Sequence, residues 1–158
     1  SWNGPLPSEE AVSRWMIHPD RDVVLWGAST GAGKTHIGTA MLYSAQNSGR
    51  KCFWISAIEL AQRIFDEEKD IAQPTKTRFE RSQVAMLDDW GRETGSAIFG
   101  KEKVISALDY RYNHRLPTIV TTNMDIARAE AYEPRVWSRL SSGLVLHEFT
   151  GADMRLAD

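Results

Sequence analysis

A single cysteine, Cys52, stands in 158 residues, so no internal disulfide forms. Its setting in Cys-Phe-Trp-Ile predicts a buried strand thiol and not a reactive one. Long apolar runs are missing too. The longest stretch, Val23 to Ala28, falls far short of the roughly 20 residues that cross a bilayer, and no basic-then-apolar leader opens the chain. A cytoplasmic protein without a membrane partner is expected. Neither sign of charge dominates: 19 Lys and Arg against 21 Asp and Glu leave −2, so any nucleic-acid contact has to be local. Low-complexity tracts and internal repeats are also absent. What remains is 42% apolar and 25% charged, the balance of a soluble globular domain. One domain over residues 1–158 is expected, and a start at Ser1 without methionine reads as a fragment lacking an upstream, partner-binding domain.

Local patterns alternate between strand and helix. Ser8 followed by Glu9 and Glu10 predicts an N-capped helix to about His18. Val23 to Trp26, Cys52 to Ile55, Val84 to Leu87, Pro117 to Thr122 and Leu144 to Phe149 are short apolar runs suited to buried parallel strands. Between them, helices are expected over Lys34–Ser48, Ala57–Glu68, Lys101–His114 and Glu133–Ser141. The first shows helical spacing at Ile37, Ala40, Met41 and Ala45, and the second a face of Leu60, Ile64 and Phe65. Such alternation predicts an α/β fold, a three-layer sandwich on a five-stranded parallel sheet. In these sheets ligands bind at the carboxyl ends of the strands.

Chemistry-bearing residues fall at those ends. Thr30-Gly-Ala-Gly-Lys-Thr35 follows the first strand and opens a helix, the context of a phosphate-binding loop. Small residues let backbone N–H groups of Ser29, Thr30, Gly31, Ala32 and Gly33 close on phosphate oxygens, aided by the helix dipole. Lys34 is expected to reach the outer phosphates of ATP and the Thr35 hydroxyl to bind Mg²⁺. The strict pattern wants glycine where Ala28 stands, with Gly27 beside it. The competing reading is a chance glycine turn. Val84 to Asp89 then delivers two carboxylates from an apolar strand, Asp88 for the Mg²⁺ shell and Asp89 to orient or deprotonate water. Alone, that pair would also suit an Asx turn before Gly91. Asn123, after the fourth strand, is placed to meet the γ-phosphate or the lytic water, or simply to cap a turn.

Leu25 to His36, Leu87 to Gly91 (Leu-Asp-Asp-Trp-Gly), Thr121 to Asn123, and Arg135 to Leu140 (Arg-Val-Trp-Ser-Arg-Leu) resemble, in order, the motifs of DnaC-type helicase loaders, P-loop ATPases of the AAA+/ASCE class. The resemblance runs from about residue 22 to 155. It implies that Asn123 is sensor 1, that Arg139 is a finger presented to a neighbour's ATP, and that Arg155 does sensor 2 duty. His36 after the loop is a family feature, either beside the nucleotide or simply packed on the first helix, with no catalytic role assigned. It also implies a core without the usual helical lid, and a slow, assembly-dependent ATPase. The implied partners are a replicative hexameric helicase, single-stranded DNA and further copies of the chain. IstB-like ATPases that regulate DNA transposition share the P-loop and sensor 1, but usually carry Asp-Glu where this chain has Asp88-Asp89. A small-molecule P-loop kinase would want an acceptor-binding lid, which the sequence does not offer.

Bland readings stand beside these. Arg135 and Arg139 lie one helical turn apart and suit surface ion pairs, and the tryptophans are expected mostly in the core. Glu59 to Gln83 is longer than one helix needs. Its Lys76, Arg78, Phe79 and Arg81 suit phosphate pairing and base stacking, or a solvated helix face.

Overall fold

The computed structural model describes residues 8–27, 33–92 and 100–147. Its centre is a five-stranded, wholly parallel sheet: β1 (Val23–Trp26), β2 (Cys52–Ser56), β3 (Val84–Asp88), β4 (Thr118–Thr122) and β5 (Leu144–His147), in the order β2-β3-β4-β1-β5. β4 therefore lies between the strand that feeds the phosphate loop and the strand that ends in carboxylates. Every side chain of β3 and β4 is buried, as a strand covered on both faces requires.

Successive residues of each strand feed opposite layers. Val23, Leu25, Val84, Met86 and Ile119 face α1 (Ser8–Ile17) and α2 (Gly33–Asn47), joining Trp15, Met41 and Ala45. Val24, Ala85, Leu87 and Val120 face the other way. They meet α3 (Ala57–Asp66), α4 (Pro74–Arg81), α5 (Lys101–Asn113), α6 (Ile126–Tyr132) and α7 (Pro134–Leu140). α2 sits close on the sheet because Gly38 has no side chain: a Cβ there would lie 2.8 Å from the Met86 methyl. No described helix is long and apolar enough to cross a membrane.

The predicted strands are all present. The segment before β3 resolves into two helices, α3 capped by the Ser56 hydroxyl on the Glu59 amide at 3.1 Å, then α4 opened by Pro74. α6, capped by the Asp125 side chain on the Arg128 amide at 2.8 Å, was not anticipated. Cys52 is half-buried instead of buried, and burial still pushes its thiol pKa up. Trp15, Trp90 and Trp137 are core residues, Trp26 is half-buried and Trp54 is exposed. The lid question falls on residues 148–158, outside the described residues.

Candidate functional site

The carboxyl end of the sheet gathers the predicted chemistry. Lys34, in the first turn of α2, is only 4% exposed. The Thr35 hydroxyl donates to Asp88 Oδ1 at 3.0 Å, joining the helix after β1 to the end of β3. That joint is what a P-loop NTPase needs around its metal. A hydroxyl and a carboxylate oxygen together suit a hard, oxygen-seeking cation such as Mg²⁺. Ser29, Thr30, Gly31 and Ala32 lie outside the described residues, as does Arg155; Gly33 begins α2. His36 is exposed on the following turn.

Thr121 was not singled out by the sequence reading, yet it holds the acidic pair. Its hydroxyl donates to Asp88 Oδ1 in a short hydrogen bond and accepts from the Asp89 amide at 2.9 Å. Next to it in β4, the Thr122 hydroxyl donates to the Trp90 carbonyl at 2.7 Å and accepts from the Met124 amide at 3.1 Å. Two adjacent threonines of β4 thus fix the backbone from Asp88 to Trp90. Asp89 has φ 55°, a left-handed conformation that aspartate tolerates better than most residues. Gly91 has φ 100°, and a Cβ on it would lie 2.5 Å from Met124. This acid-bearing turn therefore has a fixed shape. Asn123 leaves β4 beside it, half-buried.

The model of the family described as "IstB-like ATP binding protein" matches residues 9–132. The chain belongs to that family. No curated protein matches the IstB-like domain's sequence. Among solved structures, a DnaC helicase loader matches at 20% identity with TM-score 0.76, over 92% of this chain and 93% of that one. DnaI matches at 18% with TM-score 0.73, over 92% and 88%. AMPPCP-bound DnaA from Aquifex aeolicus matches at 18% with TM-score 0.76, over 98% and 51%. The IstB-like domain spans about half the length of the initiator chains it resembles. At such identities the likeness is one of fold, the AAA+ form of the P-loop sandwich.

Arg139 of the IstB-like domain is not part of this cluster. It closes α7 at the opposite, amino end of the sheet, lining a crevice with Asp22 and Thr118, which flank the starts of β1 and β4. There its guanidinium pairs with Asp109 and lies 5.3 Å from the centre of the Tyr112 ring. Strand rise separates the two ends by roughly 13 to 17 Å, so Arg139 lies well away from the Thr35–Asp88 joint of its own chain. Arg135 is exposed and pairs with Glu102 and Glu133.

The nucleic-acid expectation for α4 needs correction at Phe79. Its ring is 0% exposed and packs in the core, so it stacks on no base; it is the residue that attaches α4 to the body. Lys76 is half-buried in an ion pair with Glu80 at 2.8 Å. Arg78 lies 4.7 Å from the Phe53 ring, and Arg81 is exposed.

Arg111 is the functional-looking residue that sequence reasoning missed. It is 0% exposed, donating to the carbonyls of Phe79 at 2.8 Å, Ser82 at 2.6 Å and Pro117 at 2.7 Å, and to the Thr118 hydroxyl at 2.7 Å. It terminates α4 and ties it to α5 and β4. Burial lowers its pKa to about 10. Burial likewise raises that of Asp22, which accepts from the Thr118 amide at 2.8 Å. The signal lay in spacing: Arg111 continues the buried stripe of Val104, Ala107 and Leu108.

Proposed function

We propose that this IstB-like domain is an ATP-driven assembly switch that helps place a replicative DNA helicase on single-stranded DNA. The observation that carries the ATPase part is the joint of Thr35 and Asp88 beside the buried Lys34. ATP is the substrate. Thr35 and Asp88 would hold Mg²⁺, which when bound neutralises phosphate charge. Lys34 would bind the outer phosphates, Asp89 would orient or deprotonate the attacking water, and Asn123 would hydrogen-bond the γ-phosphate or that water.

Assembly enters through Arg139. An arginine at the far end of the sheet from its own nucleotide suits a finger given to a neighbour, so that hydrolysis waits for the oligomer. The loader reading rests on the ordered motifs and on the full-length correspondence of fold with the DnaC loader. The family match favours a second reading, an ATPase that regulates DNA transposition. Asp89 in place of glutamate, followed by Trp90-Gly91, speaks for the loader.

Two measurements test the proposal. Lys34→Ala should abolish ATP binding in a nucleotide titration while the fold survives; unchanged affinity removes Lys34 from the site. An intact version should capture a hexameric helicase in an ATP-dependent pull-down. Capture of a transposase instead would decide for the second reading.

A further inference from the structure

The right-handed crossovers bring the carboxyl ends of α2, α4, α5 and α7 to the amino end of the sheet. Cations there complement the negative ends of the helix dipoles. Arg50 and Lys51 precede β2, Arg81 closes α4 before β3, Arg115 precedes β4, and Arg21 precedes β1. The strand starts are in register: Cys52 pairs with Val84, Ala85 with Thr118, and Val23 with Ile119. These cations therefore border one surface, about 15 Å across from β2 to β1 at strand spacing. Among the described residues Arg21 alone of these five has an ion pair, with Asp20 at 3.2 Å. That pair is 53% and 60% exposed and exchanges readily for another anion.

Dipole complementation accounts for the cations next to helix ends. It does not account for Arg21, on a loop entering β1, nor for the hollow beside it. A cavity of about 460 Å³ opens between Arg21 and Arg115, with the polar side chains of Asn113 and Ser142 on its wall. Asp20 and Asp22 also line it. Asp20 is paired with Arg21 at the rim, and Asp22 has its carboxyl engaged by the Thr118 amide and in the field of the buried Arg111, which leaves Arg115 as the unmatched rim charge. The inner acid and inner base balance each other, so the rim keeps the excess of positive charge. All this occurs on a chain whose net charge is −2.

We infer that the amino end of the sheet is a docking surface for the phosphate backbone of a nucleic acid, on the side of the domain opposite the ATP site. It lies beside the Arg139 crevice that the proposed assembly gives to a neighbouring subunit. Lys51, Arg81 and Arg115 pair with successive phosphates, and the cavity at Arg21 receives a backbone segment. Of the helix-borne residues first considered, Arg81 belongs to this surface. Recognition is by charge, independent of base identity. The inference goes beyond helicase loading and requires no helicase.

The test is fluorescence anisotropy of labelled single-stranded and duplex oligonucleotides against the full chain over a salt series. The variant carries Lys51→Gln, Arg81→Gln and Arg115→Gln, all at exposed positions. Loss of three phosphate contacts should lower affinity on the order of 10- to 100-fold and flatten the log–log salt slope by about 2 for a single strand. ATP affinity and thermal melting should be unchanged, which separates this effect from damage to the nucleotide site. The preferred strandedness identifies the source of the phosphates. Wild-type slope and affinity in the triple variant would overturn the inference while leaving helicase capture untouched. So would capture by phosphatidylserine vesicles with no oligonucleotide binding.

Discussion

The two ends of the sheet solve opposite electrostatic problems. At the carboxyl end, hydroxyls of Thr35 and Thr121 converge on one carboxylate, Asp88; at the amino end, carbonyls converge on one guanidinium, Arg111. Asp88 is nearly buried and Arg111 fully buried. The first cluster is built from side chains, at the end of the sheet where the proposed nucleotide site lies. The second uses mainly backbone oxygens and closes on itself. One is therefore expected to fail in chemistry when broken, and the other in stability.

The largest expected effect separates the ends across a subunit boundary. Arg139→Ala should reduce the turnover of assembled protein by roughly 10³ to 10⁵, while nucleotide affinity stays. Mixing it with Lys34→Ala should recover some activity, because one chain donates the finger and the other the pocket. Absence of recovery in proven mixed oligomers would remove Arg139 from the reaction.

Next comes Arg111→Met, which leaves the carbonyls of Phe79, Ser82 and Pro117 without their donor. A loss of about 3–5 kcal/mol in denaturant unfolding is expected, with ATP affinity per folded molecule preserved. A variant that unfolds normally but binds ATP poorly would erase the distinction between the ends.

Thr121→Val should cost about 1–3 kcal/mol for the unmade hydrogen bonds. Turnover should fall roughly tenfold with little change in KM, because the hydroxyl positions Asp88 and Asp89 without touching substrate. Thr121→Ser should restore turnover. Equal loss in both variants would mean that the methyl group matters and the hydroxyl does not.

The smallest effect is a slope. Burial raises the Asp22 pKa above its ordinary 3.8, so the folded state holds that proton more tightly than the unfolded chain. Its contribution is neutral in acid and turns against folding as pH rises through the unfolded value and then the raised one. Asp22→Asn should keep the bond from the Thr118 amide and remove that slope. Arg111 stays protonated below its pKa of about 10, so of these two facing groups only Asp22 titrates over the acid range. Parallel stability curves for the two proteins between pH 4 and 7 would show that Asp22 titrates normally.

The carboxyl end was far more legible in the sequence than the amino end. Glycines, a lysine and paired acids at strand ends have few other uses, and the continuous apolar strands around them leave little choice of fold. Arg111 reads like any surface arginine until its neighbours on the helix are counted. Phe79 misled in the other direction: flanked by Arg78 and Arg81 it looks like a stacking platform, but α4 has no other large apolar residue with which to attach itself. α6 escaped because seven residues give too few turns for periodicity to show. The Asp125 cap was its available sign.

Asp89 carries a restriction that chemistry alone would not impose. Its backbone sits at φ 55°, a conformation that selects for short polar side chains able to bond locally. Lengthening it to glutamate would move the carboxylate outward and also place a less suitable residue on a left-handed backbone. In this chain the choice of second acid is thus a property of the turn before it is a property of the reaction. Substitutions here report on two variables at once, and Asp89→Asn, which keeps the turn and removes only the charge, reads the reaction by itself.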